Sequence, residues 1–228
     1  MGYLLQSSTI DKHNAHDSLE LQLGAIGPAA GQEQTQTWIH KNITDSTIPL
    51  GWDNQIPNQI GVNAIYMHRL NYYPFHTGNE NCSTGNKGCL VRVIPHLGTS
   101  IGNITNYANV GGLLLIGKSG SDLPALTIQP GFIQPIDSKN TWEYYIYIGF
   151  DYRYYASNLF VEGSGAAKHD IILTPGVYDV LTGLSLKPGF CDCKLSYKII
   201  NRSEEFISKD KSLEKSHRIG QINFDWYF

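Results

Sequence analysis

The chain reads as all-β, an antiparallel β-sandwich of jelly-roll type. It carries an N-terminal arm and ends in a short helix or linker followed by a terminal strand. Three observations predict this. Short runs rich in Val, Ile, Leu and Tyr recur along the 228 residues. Gly and Pro turn signals separate them at intervals of about 8–12 residues, a spacing expected of sandwiches. No internal repeat of constant period points to a propeller or solenoid instead.

Residues 1–37 read as an arm holding one strand. Leu19-Glu20-Leu21-Gln22-Leu23 alternates like a half-buried strand, and the small residues from Gly24 to Gly31 form a turn or loop. Residues 38–200 read as the sandwich. Between Ile48 and Ile60, Pro49, Gly51 and Pro57 exclude a long helix. From Asn63 to Leu70 a strand places Ala64, Tyr66, His68 and Leu70 on one face and Ile65, Met67 and Arg69 on the other. A polar loop spans Tyr73 to Gly88, and Leu90 to Ile94 form a strand that stops at Pro95. Further strands follow at Gly112–Gly117, Ala125–Ile128, Phe132–Ile133, Trp142–Tyr155, Asp170–Leu173, Gly176–Leu181, Leu184–Leu186 and Cys191–Ile200. Gly149 reads as a bulge or bend in the longest of them.

Residues 201–228 form the third part. Arg202 to Arg218 is rich in charge and holds the helix-spaced pairs Glu205–Lys209 and Glu214–Arg218. After it, Ile222, Phe224, Trp226 and Phe228 alternate with Asn223, Asp225 and Tyr227, a strand whose apolar face needs a sheet to cover it. It either joins the home domain or is lent to a neighbour.

Composition narrows the function classes. Only 16% of residues are charged, and the formal net charge is −3. A dedicated nucleic-acid binder is therefore excluded, because phosphate recognition needs a basic patch. An uncharged polar surface suits neutral ligands or close subunit contact, where little charge need be desolvated. No segment approaches the roughly 20 apolar residues of a membrane-spanning helix. The first residues lack the pattern of a signal peptide, and Gln6 stands where a myristoylation motif wants Ser or Thr. These features lead to the expectation of a protein made in the cytoplasm, without a membrane span, and released within a particle if at all.

The catalytic inventory is thin. There is no nucleophile elbow, zinc-protease helix, phosphate loop or dinucleotide fingerprint. Cys82, Cys89, Cys191 and Cys193 are candidates for disulfides, with free or structural thiols placed ahead of them and zinc last, since the spacings are off-pattern for zinc. Pairing Cys191 with Cys193 across one residue is the less comfortable choice. His13, His16 and Asp17 read as a solvated turn, and His68, His76 and His96 as candidates for convergence on the Cys82/Cys89 loop. Asp122, Glu143, Asp151 and Glu162 are acidic without further distinction. The four Asn-x-Ser/Thr sequons are read as chance. No cofactor or metal is implied.

The aromatic segment is the most informative. Trp142, Tyr144, Ile146 and Ile148 share a face that reads as core. Tyr145 and Tyr147 lie on the other, and with Tyr152, Tyr154, Tyr155, Asn158, Phe224, Trp226 and Phe228 they form the candidate interface or ligand-binding set. Gly112–Gly117 followed by a later aromatic strand is similar to small calcium-dependent bacterial galactose lectins, but the calcium loop expected near Phe150 to Asn158 is missing, so membership is not claimed. A terminal aromatic on an alternating strand resembles outer-membrane barrels. Against that stand the absent signal sequence and the scarcity of strands of about ten residues.

The function expected from these readings is a non-enzymatic, self-assembling structural protein of a particle, capsid, fibre or inclusion. Its partners would be copies of itself. The alternative is a carbohydrate-binding or receptor-binding module with a glycan or cell-surface receptor as partner, and a hydrolase comes third.

Overall fold

The computed structural model describes residues 2–12, 15–44, 46–47, 51–75, 91–118, 142–164, 171–191, 193–208 and 216–226. Twelve strands occur among them: β1 Gly2–Lys12, β2 Ala15–Ile26, β3 Gln59–Leu70, β4 Tyr72–Phe75, β5 Val91–Gly102, β6 Thr105–Lys118, β7 Glu143–Asn158, β8 Ile171–Leu173, β9 Gly176–Lys187, β10 Cys193–Arg202, β11 Phe206–Ser208 and β12 His217–Trp226. Two helices join them, α1 Gln32–Ile39 and α2 Leu159–Glu162.

The expectation of an all-β antiparallel protein holds, but the sandwich does not. Ten strands form one sheet in the order β1-β2-β3-β5-β6-β7-β9-β10-β12, with β4 pairing to β5; β8 and β11 make a separate two-stranded sheet. A sandwich packs two sheets face to face. Here a single antiparallel meander curls into a half-barrel and covers its own concave face.

Strands are longer than the sequence suggested, because Gly and Pro interrupt the reading without interrupting the pairing. β5 runs through Pro95, which pairs with Gly112 of β6. On its other edge β5 changes partner there, from β4 at Val93 to β3 at His96, so no ladder donor is needed at Pro95. Residues 176–187 form one strand through Gly183, where a Cβ would lie 2.5 Å from the Tyr147 hydroxyl. Gly183 is a close approach of backbone to ring, not a break. Gly149 likewise pairs in continuous register with Leu113 and Leu181, and the register shift falls instead at Asn106/Tyr107. The arm's expected strand is part of β2, which pairs along its length with β3. β12 joins its own sheet by pairing with β10 from Cys193↔Trp226 to Arg202↔His217. Ala125–Ile128, Phe132–Ile133 and the pairs Glu205–Lys209 and Glu214–Arg218 lie wholly or partly outside the described residues.

The polarity of the two faces is inverted. Along β7, Glu143, Tyr145, Tyr147, Gly149, Asp151, Arg153 and Tyr155 are buried, and the intervening Tyr144, Ile146, Ile148, Phe150, Tyr152 and Tyr154 are exposed. The face read as core, including Trp142, is therefore the convex outer one. The same inversion runs around the sheet. Glu20, Asn63, Arg69, Arg92, Lys187 and Lys198 point into the concave side, and Leu21, Val62, Ile101, Val110, Leu184 and Ile222 point out. In water this arrangement would be unfavourable on both faces, because it buries charge and exposes hydrocarbon.

Candidate active site

The concave face holds its charges in a linked chain. Asp151 accepts from His96 Nε2 at 2.8 Å and Asn109 Nδ2 at 2.7 Å, and pairs with Arg153 Nη2 at 2.7 Å. Arg153 reaches on to Asp179 at 3.0 Å, and Asp179 receives Arg202 through Nε and Nη2 at 2.7 and 2.8 Å. Arg202 closes the run on Glu205 at 2.8 Å. Such bidentate, mutually satisfied pairs are what makes buried charge tolerable. His96 and Asp151 have the look of a catalytic dyad. Both side chains, however, are 0% exposed, so no substrate reaches them. Their role is structural.

A second imidazole, partly buried rather than sealed in, lies on the connection between β2 and β3. Gly27, with φ at 96°, turns the chain out of β2, and the Ala29 N–H donates to Asn58 Oδ1 at 2.7 Å, tying the two feet of the excursion together. Pro28–Ala30 form a 3-10 turn, Gly31 takes the left-handed conformation before α1, and α1 runs into a π-helical turn at His40–Thr44. π turns inside helices recur at functional positions. His40 stands where the α-helix gives way to it. Its Nδ1 lies 2.7 Å from the carbonyl oxygen of Thr47. A carbonyl only accepts, so Nδ1 carries the proton and the neutral ring keeps its lone pair on Nε2. That is the tautomer of an oriented general base. Gln36, one helical turn earlier, shares its face, and both are partly buried. Trp38 is exposed beside them.

The residues singled out from sequence fall on two opposite faces. Tyr145, Tyr147 and Tyr155 are buried on the concave side, where Lys194 Nζ sits 5.8 Å from the Tyr145 ring centroid. Tyr152, Tyr154, Phe224 and Trp226 are exposed on the convex side, the last two as an edge-to-face pair. Asn158 caps α2, accepting from the Phe160 N–H at 3.1 Å. Cys191 and Cys193 are disulfide-bonded to each other, which reverses the preference for free thiols at these positions. Phe228, Cys82, Cys89, His76, His13 and Asp122 lie outside the described residues. His40 was missed by sequence reasoning because no motif surrounds it. The one available signal was Gly27-Pro28 to Gly31, a helix entry placed between two strands.

The convex face decides the class. From Tyr144 to Tyr154 an extended chain rises about 34 Å, which a tilt of roughly 40° reduces to about 26 Å, the height of the apolar band of an outer-membrane barrel. Tyr144 and Trp142 mark one edge of the band, Tyr152, Tyr154 and Tyr178 the other, and Ile146, Ile148 and Ile116 lie between. No helix among the described residues is long and apolar enough to cross a membrane, which says nothing of strands. An aliphatic belt between aromatic girdles, outside a charged interior, defines a transmembrane β-barrel protein.

The comparisons agree. A family model described as "Outer membrane protein LpxR" matches residues 2–228, and the chain belongs to that family. The solved structure of LpxR from Salmonella typhimurium is similar with a TM-score of 0.73 and 19% identity, covering 96% of this chain and 70% of that one; at this identity the likeness speaks for the fold. No curated protein matches by sequence.

These findings overturn several expectations. The LpxR family is one of enzymes, lipid A 3-O-deacylases, which corrects the non-enzymatic assembly protein and its lectin-like alternative. Outer-membrane membership replaces the absence of a membrane span, the cytoplasmic origin with particle release, and the self-associating or receptor-bound partners inferred from them. The physical reason is common to all. Low surface charge was read as a surface made for neutral partners in water, when the partner is hydrocarbon.

Proposed function

We propose that this chain is a lipid A 3-O-deacylase of the outer membrane and that His40 is its general base. Family membership supports the reaction class. The observation that carries the residue assignment is the Nδ1 bond to Thr47, which leaves Nε2 free on an accessible excursion from the sheet. In the reaction, Nε2 takes a proton from water as the water oxygen adds to the ester carbonyl. Collapse of the tetrahedral intermediate breaks the bond to the sugar oxygen, and the imidazolium returns the proton to it. A fatty acid and a free 3-hydroxyl result. The Gln36 amide, on the same helical face, is suited to donate to the carbonyl oxygen as charge develops there.

The test is mass spectrometry of lipid A incubated with the protein in detergent micelles. His40→Ala should lower the rate of 3-O-acyl loss by about 10²–10⁴-fold, the usual contribution of a general base, with the protein still inserted and folded. Full activity in that variant would remove His40 from the mechanism.

A further inference from the structure

The convex belt carries one carboxylate that contact with hydrocarbon does not explain. Of the acidic residues in strands β2 to β12, Glu20, Glu143, Asp151 and Asp179 are buried on the concave side. Asp225 faces the same way, alternating with the exposed Phe224 and Trp226. Among the described residues of these strands, Asp17 alone points outward. The alternation of β2 puts it there, since Ser18 and Glu20 are buried and Leu19 and Leu21 exposed.

Register gives Asp17 its neighbours. His68 stands directly opposite it on β3, and Tyr66 is opposite Leu19, the next outward position. Both close on one oxygen. The Tyr66 hydroxyl donates to Asp17 Oδ1 at 2.5 Å, and His68 Nδ1 lies 2.7 Å from the same atom. A carboxylate only accepts, so Nδ1 carries the proton, and Nε2 of the neutral ring keeps its lone pair. The His68 and Asp17 side chains are 29% and 33% exposed, where those of His96 and Asp151 are sealed at 0%.

Depth identifies what reaches this trio. Asp17 lies just inside Ala15, where β2 starts, and Tyr144 just inside Glu143, where β7 starts. The antiparallel pairings through β3, β5 and β6 put both starts at one end of the sheet. Asp17 thus belongs to the end girdled by Trp142 and Tyr144, where lipid headgroups meet a barrel. Leu19, Leu70 and Leu97 are exposed around it. A charge on a lipid-facing surface is costly unless an opposite one meets it. Headgroups offer phosphate or ammonium, and a carboxylate beside a ring lone pair repels the first and attracts the second.

We propose that Asp17, His68 and Tyr66 bind the headgroup of a lipid bearing a primary ammonium, such as phosphatidylethanolamine. Asp17 supplies the charge, His68 Nε2 accepts one ammonium N–H, and Tyr66 orients the carboxylate. The His40 excursion leaves the same two strands at their other end, from Ile26 and Gln59. The headgroup site therefore faces the opposite leaflet from the proposed deacylation and rests on the membrane assignment alone.

The test is native mass spectrometry of the whole protein from detergent micelles holding equal amounts of dimyristoyl phosphatidylethanolamine, phosphatidylglycerol and phosphatidylcholine. The three share their acyl chains, and choline keeps the positive charge without an N–H. The ethanolamine lipid should be retained about tenfold over the glycerol lipid, the scale of one hydrogen bond to a charged group. Asp17→Asn keeps the shape and removes the charge, so the preference should vanish while lipid A hydrolysis is unchanged. A preference that persists in this variant would overturn the proposal. So would equal retention of all three lipids by the wild type, which would leave the trio as a pin between β2 and β3. Preference for the glycerol lipid would point instead to phosphate on an imidazolium, and choline held as firmly as ethanolamine would mean that Nε2 accepts nothing; either result overturns it. These wild-type comparisons decide the matter even where Asp17→Asn fails to fold. Headgroup preference without lipid A hydrolysis would count against the deacylase reading alone.

Discussion

Asp179 shows how single residues hold the interior. It is fully buried and lies between two guanidiniums, Arg153 and Arg202. Removing it leaves two cations facing each other in a poorly solvated space. Asp179→Ala is therefore expected to cost about 3–5 kcal/mol, the usual penalty for breaking a buried pair, measured as a fall in the urea midpoint of the protein reconstituted in vesicles. A change near zero would mean that water enters the concave side freely. His40 is the opposite case at the same scale. As the proposed general base it would matter to the chemistry and not to the fold, so its loss should leave that midpoint nearly unmoved. Neither residue announced itself in the sequence. Asp179 is one of 20 acidic residues and His40 one of eight histidines; what distinguishes them is partners brought together from other strands and a distant carbonyl, which no local pattern encodes.

β7 was the most legible element, and the one most instructively misread. Its alternation is plain in the sequence, and its two faces were separated correctly between Glu143 and Ile148. What period two cannot say is which face is wet. Ile146 and Ile148 were assigned inward because water was assumed outside, and both are exposed on the convex face. The polar members of the other face, Asp151 and Arg153, carried the missing signal: charge at inward positions of a continuous strand suits a barrel interior, not a sandwich core. Element boundaries were cut short for a related reason. Pro95 was read as the end of a strand and Gly183 fell in the gap between Gly176–Leu181 and Leu184–Leu186, so most strands fell below spanning length and the barrel reading lost its support. The membrane assignment makes a depth-dependent prediction. Ile148→Arg, near mid-band, should destabilise the inserted protein by about 2–4 kcal/mol, and Tyr154→Arg, at the girdle, by only about 0–1 kcal/mol. Equal effects at the two positions, in vesicle unfolding titrations, would place the band elsewhere.

At the scale of the whole molecule, the sheet supplies the membrane-facing surface, and the proposed chemistry sits on the excursion between β2 and β3. The β content and the uncharged character were legible from composition, but the curl of a single sheet depends on strand pairings between residues far apart in sequence. If the belt is a lipid surface, the protein should fractionate with outer membranes and resist extraction by carbonate, which strips peripheral proteins; recovery in the soluble fraction would contradict the assignment. The inverted polarity of the sheet also bears on how the molecule comes to exist. A chain that must expose Ile146, Ile148, Ile101 and Ile222 when folded has no aqueous native state to fall into, so hydrophobic collapse in water leads away from the final structure rather than toward it. The lipid is then a participant in folding, supplying the solvent in which β2, β3 and β5–β7 first find their register, and synthesis and insertion become one kinetic problem in which every second spent between ribosome and bilayer favours aggregation.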